Sequence, residues 1–277
     1  MKTGGGPARI REFADRTGQD CLCHLAETLW LSRGILHWIA VISRRTFFAL
    51  LTASTLAAGT KKYCGIRFRT ISKGRSARRY FWIHGDETTA RDVLTAHMTR
   101  FRGRALLVEN PTRVIQSGAV TFDPNRMFTA AALERNLMRL NPEASEAERR
   151  RVHKMVGRDR EKLLRALTPP PNGLLTVLHN NNQGYSIKDE VDISNAISMP
   201  APGEPNDFML CTDVNDFALL RQSPFNVVLQ NEAKGEDDGS LSRLAASRRI
   251  RYVNIEAAMG RDAAQRAMLE WVETHLP

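Results

Sequence analysis

The chain has 277 residues, 42% of them hydrophobic, with a formal net charge of +10 and no internal repeat or low-complexity tract. The positive charge is local: residues 60–104 hold 12 Lys or Arg against 3 Asp or Glu, whereas residues 105–277 hold 21 against 23. A surface basic along its whole length is therefore excluded, and with it the usual signature of a nucleic-acid domain; the block reads as a solvated edge or a contact with anionic envelope polymers.

In chain order, residues 1–42 are an N-terminal extension with Trp30, Trp38 and the Cys21-Leu22-Cys23 pair. The pair has a histidine nearby, His24, but lacks the second ligand pair of a zinc finger. Next, Ser43-Arg44-Arg45-Thr46-Phe47-Phe48 followed by Ala49 to Ala58 resembles a twin-arginine export signal, a basic pair ahead of a short apolar stretch that ends in small residues. Cleavage is expected between Ala57 and Gly59, giving a signal over 43–59 and a catalytic domain over 60–277. A membrane anchor joining Leu29–Ile42 to this stretch would instead bury Arg33, His37, Arg44 and Arg45 in hydrocarbon, at a heavy cost. The extension is long for such a signal, so translation is expected to begin near Val41; peptides from Met1 to Arg33 in the precursor's mass spectrum would refute this. Removing these segments leaves roughly 217 residues, enough for one α/β domain with a substantial core.

The basic block runs from Lys61 and Lys62 through Arg67, Arg69, Lys73 and Arg75 to Arg78 and Arg79. It leads into Tyr80-Phe81-Trp82-Ile83, an aromatic and β-branched run that reads as a buried strand, and then His84-Gly85-Asp86-Glu87, where the glycine marks the exit from the sheet. Strands are expected over Arg104–Val108, Leu174–Leu178, Phe208–Thr212, Phe225–Leu229 and Arg251–Ala257. Helices are expected over Thr129–Leu140, where Leu133, Leu137 and Leu140 share a face, over Ser145–Leu167, ending at Pro169-Pro170-Pro171, and over Asp262–His275. The polar stretch Ala233–Ser242 reads as a loop on the active-site side, suited to act as a lid. His97 and His153, in helical and basic surroundings, are expected at the solvated surface. Cys64 and Cys211 are expected to be unpaired, with a disulfide between them as the alternative in an oxidising compartment.

The chemistry concentrates where strands end. His84 and Glu87 follow one strand and His179 follows another, and in open α/β sheets ligands bind outside the carboxyl ends of strands. Two histidines and one carboxylate form a recognised catalytic zinc ligand set that leaves the fourth position to water. There is no His-Glu-x-x-His helix, so the close pair is His84 with Glu87 and His179 is the distant ligand. Between them lies Phe122-Asp123-Pro124-Asn125-Arg126-Met127-Phe128, whose Asn125 and Arg126 suit a bidentate grip on a carboxylate. Glu256, on the last strand, is placed to take a proton from an activated water and pass it to a leaving nitrogen.

His84 and Glu87, Asn125-Arg126, His179 and Glu256 occur in the order and setting of the zinc carboxypeptidase superfamily, which this sequence resembles from Arg79 to its C-terminus, the succinylglutamate desuccinylase and aspartoacylase-like branch included. The resemblance implies a single α/β domain, a mixed central β-sheet flanked by helices. It implies one zinc ion held by His84, Glu87 and His179, a carboxylate grip at Asn125 and Arg126, and Glu256 as general base. It further implies hydrolysis of a C-terminal peptide bond or a related amide, with peptides, N-acyl amino acids or cell-wall peptides as substrates; the export segment adds the twin-arginine export machinery as a partner, and the local charge leaves no nucleic acid expected. An arginine that polarises the scissile carbonyl is also implied, and Arg113 is the best-placed candidate. No tyrosine matches the family's mobile cover: Tyr252 lies too close to Glu256, and Tyr185 is assigned to the substrate pocket. These departures keep open a noncatalytic periplasmic peptide- or metal-binding relative of the same fold.

Overall fold

The computed structural model describes residues 56–181, 184–232 and 234–277. The extension over 1–42 and most of the export segment lie outside the described residues; Leu56 to Gly59 of that segment form the start of the first strand. No helix of the described residues is long and apolar enough to cross a membrane.

Eleven strands and seven α-helices follow one another along this part of the chain. The strands are β1 (Leu56–Tyr63), β2 (Ile66–Lys73), β3 (Arg78–Trp82), β4 (Gly103–Val108), β5 (Ile115–Ser117), β6 (Val120–Phe122), β7 (Leu174–Asn181), β8 (Ala196–Ser198), β9 (Phe208–Cys211), β10 (Asn226–Leu229) and β11 (Tyr252–Ala258). The helices are α1 (Thr88–Arg100), α2 (Ala130–Leu140), α3 (Glu146–Leu167), α4 (Ile187–Glu190), α5 (Val214–Leu220), α6 (Leu241–Ser247) and α7 (Asp262–His275). Nine strands make one sheet in the order β1-β2-β4-β3-β7-β11-β9-β10-β8, and β5 pairs with β6 apart from it.

The expected α/β class and mixed sheet are therefore found. β4, β3, β7 and β11 run parallel, whereas β1, β2 and β8 at the margins pair antiparallel and β9 runs antiparallel to β11. Burial explains the ranking of strands: all eight residues of central β7 are buried, as a strand covered on both faces must be, while edge strand β1 is exposed over most of its length. In β2, Ile66 and Phe68 are buried and Arg67 and Arg69 exposed, so with Lys61 and Lys62 of β1 the first part of the basic block is solvated, whereas Arg78 and Arg79 of β3 are half-buried.

Chain order and sheet order diverge at β3, and that divergence positions the site. From β3 the chain passes through α1 to β4 on one side, then returns past β3 to β7 on the other. Parallel neighbours whose connections leave in opposite directions open a crevice at their carboxyl ends. Helices α1 and α7 pack on each other and on β7 and β11, and α3 packs on β1 and β3.

Three details correct or refine the sequence expectations. His97 is buried, not solvated: α1 lies against the sheet, the imidazole stacks on Phe101 at a centroid distance of 4.3 Å, and its Nε2 lies 3.3 Å from the Tyr80 hydroxyl. His153 is half-buried and its Nε2 bonds the Ala130 carbonyl at 3.1 Å. Cys64 and Cys211 are both free and buried, and burial pushes the Cys64 thiol up to about 12.

Candidate metal centre

His84 follows the last residue of β3 by two positions, and Glu87 is the residue from which α1 departs. The turn between them requires a glycine: a Cβ on Gly85 would lie 1.5 Å from the Asn110 carbonyl oxygen, because the loop carrying Arg113 crosses directly over it. Trp82 secures the turn from below, its indole donating to the Glu87 carbonyl at 2.9 Å. His179 stands in β7, one strand over, paired across the parallel ladder with Glu256 of β11.

These placements bring three would-be ligands to one point. Glu87 receives His84 Nδ1 on Oε1 at 2.7 Å and His179 Nδ1 on Oε2 at 2.9 Å, and the imidazole centroids are 5.0 Å apart. One ligand atom from each of His84, Glu87 and His179 lies within 4.8 Å of the others, and all three side chains are buried. The other nitrogen of His84, Nε2, meets Asp123 Oδ1 at 2.9 Å. A carboxylate on the far nitrogen is the usual outer-shell support of a metal-ligating histidine, since it fixes the ring and raises its basicity. Two imidazoles, one carboxylate and this support make a donor set that fits a divalent transition metal.

Electrostatics follow from the crowding. Burial alone would lower the His84 pKa, but its hydrogen bonds to Asp123 and Glu87 outweigh that and raise it to about 9. Burial would raise Asp123, yet His84, then Arg113 and Arg126, bring it down to about 2. Glu87 is likewise pushed up by burial and held well below the carboxylate range by His179 and His84. Glu256 goes the other way: buried, with Glu87 adding repulsion, its pKa is raised despite the pull of His179 and a hydrogen bond from Asn254. A raised carboxylate beside a group that could hold a metal is what proton transfer near neutrality calls for.

The remaining expected residues share the cleft. Its volume is about 520 Å3, and His84, Glu87, Arg113, Asn125, Arg126, His179, Tyr185 and Glu256 all line it. Asn125 and Arg126 sit in a 3-10 turn begun by Asp123, whose side chain accepts from the Asn125 amide at 2.8 Å. The Asn125 side-chain oxygen accepts from the Leu241 amide, and Arg126 bonds the Asn125 carbonyl and lies 3.5 Å from Asp238. Arg113 reaches the site but donates to Glu87 Oε1 at 2.8 Å, with its guanidinium half exposed. Tyr185 donates to Glu190, and burial, then Glu256 and Glu190, push its hydroxyl well up.

The lid expected over 233–242 is a loop only to Ser240, since α6 starts at Leu241. It enters the cleft with Asp238, Ser240 and Ser242, and Asp237 ties it to Thr129 at the start of α2. Asp123, Asn254 and Glu190 had no assigned role in the sequence. Asn254 was within reach, being two residues from Glu256 on the same strand face, where period-two alternation places it. Asp123 carried only the signal of an acid directly ahead of the Pro-Asn-Arg turn.

Fold and site together define a class: a single α/β domain on a mixed nine-stranded sheet, with a buried His-Glu-His group at the carboxyl ends of its parallel strands. Comparison with protein-family models and with curated proteins finds no match to this chain.

Proposed function

We propose that this protein is an exported zinc-dependent hydrolase that cleaves a peptide or related amide bond next to a carboxylate. One observation carries the reading: His84, Glu87 and His179, the base candidate Glu256 and the pair Asn125-Arg126 line a single cleft although they lie far apart in sequence. His84, Glu87 and His179 would hold the ion, which when bound would supply a Lewis acid and lower the pKa of a water to roughly 7. Arg126 and the Asn125 amide hold the substrate carboxylate and so fix the distance to the scissile carbonyl. Glu256 takes the proton of the attacking water as its oxygen bonds the carbonyl carbon, then delivers that proton to the departing nitrogen as the C–N bond breaks, leaving a carboxylate and an amine. Arg113, which donates to Glu87 in the cleft, stabilises the negative charge that develops on the carbonyl oxygen once substrate draws it from that contact.

The test joins metal analysis to turnover of C-terminal dipeptide and N-acyl-amino-acid substrates. Zinc-loaded protein hydrolyses a member of the panel, and Glu256→Gln lowers kcat by about 10²- to 10⁴-fold while retaining the metal. Zinc without turnover across the panel supports the second reading, a noncatalytic peptide- or metal-binding protein, which the Arg113–Glu87 contact favours. Absence of zinc from the wild type ends both.

A further inference from the structure

A second polar cluster occupies the same cleft and takes no part in the chemistry above. Glu190, the last residue of α4, is 8% exposed, and its carboxylate accepts from the Tyr185 hydroxyl and from Gln230 Nε2, both neutral donors. The guanidiniums of the cleft are engaged elsewhere, Arg113 with Glu87 and both Arg126 and Arg243 with Asp238. Among the described residues Glu190 has no ion-pair partner, although a buried carboxylate normally has one.

Two buried amides add an independent observation. Asn254 is 6% exposed, and its Nδ2 donates to Glu256 Oε1 at 2.9 Å. That contact fixes the amide orientation, since the reverse would set two acceptors face to face. Its Oδ1 has no partner among the described residues. Asn181 repeats the pattern: Nδ2 donates to the Asn206 carbonyl at 2.6 Å and Oδ1 is unpartnered. Both line the cleft with Glu190. Buried acceptors left open in a native fold need a donor from outside it.

We infer that the cleft selects a substrate residue with a cationic side chain, an ammonium or guanidinium received by Glu190 with Asn254 and Asn181 as further acceptors. The inference rests on the hydrolase reading, in which Asn125 and Arg126 hold the carboxylate of that same residue. Ammonium and guanidinium carry donors and no acceptors, matching a site that offers acceptors and one unneutralised negative charge. An anionic side chain would meet Glu190 with like charge, and an aliphatic one would leave the acceptors unpaired. Ile193, Leu210 and Tyr252 line the cleft as apolar walls for a methylene stem.

The experiment compares benzoylglycyl-lysine with benzoylglycyl-norleucine on the zinc-loaded full chain, a pair that differs in the terminal ammonium alone, with the arginine and glutamate analogues as further arms. The lysine substrate is expected to exceed norleucine in kcat/KM by about tenfold or more, and that ratio collapses towards one in Glu190→Gln. A preference for norleucine or glutamate, or a ratio unchanged by the substitution, overturns the inference. Should Glu190→Gln fail to fold, the wild-type ratio decides. Should no amide be cleaved, the hydrolase reading fails by itself, and calorimetry of free L-lysine against L-norleucine then tests the cleft. Tighter lysine binding that is lost in Glu190→Gln supports the inference, and equal or absent binding of the two refutes it.

Discussion

His84 is caught between two carboxylates, and this makes its proton the controlling variable of the site. Both ring nitrogens face carboxylate oxygens, so the metal-free ring is a double donor with its pKa at about 9. A pKa above the ordinary 6.5 stabilises the fold fully below that value and ceases to do so as pH rises through about 9. Asp123, depressed to about 2, stabilises the fold above its ordinary value of 3.8 and ceases to do so as pH falls towards 2. A metal at Nδ1 would displace the proton that this nitrogen shares with Glu87, while Asp123 keeps its own hydrogen bond to Nε2. Zinc uptake at pH 7 is therefore expected to release a proton, and affinity to rise between pH 6 and 9. Asp123→Asn, which keeps the shape and removes the charge behind Nε2, should weaken zinc binding by about 10- to 100-fold. Calorimetry in two buffers of different ionisation enthalpy reads the proton, and a buffer-independent enthalpy would show that His84 is already neutral.

At the scale of elements, the strands that deliver chemistry were the ones legible in sequence. Tyr80–Ile83 and Leu174–Leu178 are unbroken apolar or β-branched runs because their strands lie among parallel neighbours and are buried, whereas Arg251–Ala257 alternates apolar residues with Asn254 and Glu256, which turn to the cleft. Helix α7 matches its expected bounds, and α3 begins after Ser145 with a capping box to Glu148, a local signal that needs no tertiary help. The short strands β5, β6 and β8, three residues each, offered no such signal: β5 and β6 form a small local hairpin too short to show a period, and β8 pairs with β10, distant in sequence. The burial of His97 was missed for the same reason: its partners Tyr80 and Glu273 come from β3 and α7. Gly85 shows how an element end can depend on a loop far along the chain. Gly85→Ala must displace the Asn110 carbonyl, and with it the loop that presents Arg113 to Glu87. We expect it to cost about 1–3 kcal/mol by urea denaturation, as overpacked sites do, and to impair turnover more than a comparable surface change. An unchanged urea midpoint would mean that the loop yields without cost.

For the whole molecule, the decisive fact is that the three ligand positions come from two strand ends with α1, β4, β5, β6, α2 and α3 threaded between them in the chain. In the unfolded chain His179 lies 92 positions from Glu87, so a metal that holds both binds the native state and has little to hold in the denatured one. Stability and metal occupancy are then one equilibrium. At a free zinc concentration about 100 times Kd, linkage adds about 2.7 kcal/mol to the unfolding free energy. Because β3 and β7 are neighbours at the middle of the sheet, this increment acts on the part of the fold most buried, and the urea midpoint should shift as a single transition. Chelation should return the midpoint to its metal-free value. His179→Gln should remove most of the zinc-dependent shift while leaving the unfolding free energy in chelator within about 1 kcal/mol of wild type, since the imidazole makes one side-chain hydrogen bond, to Glu87. Equal midpoints for the wild type with zinc and with chelator would show that these three side chains, though close together, do not hold an ion.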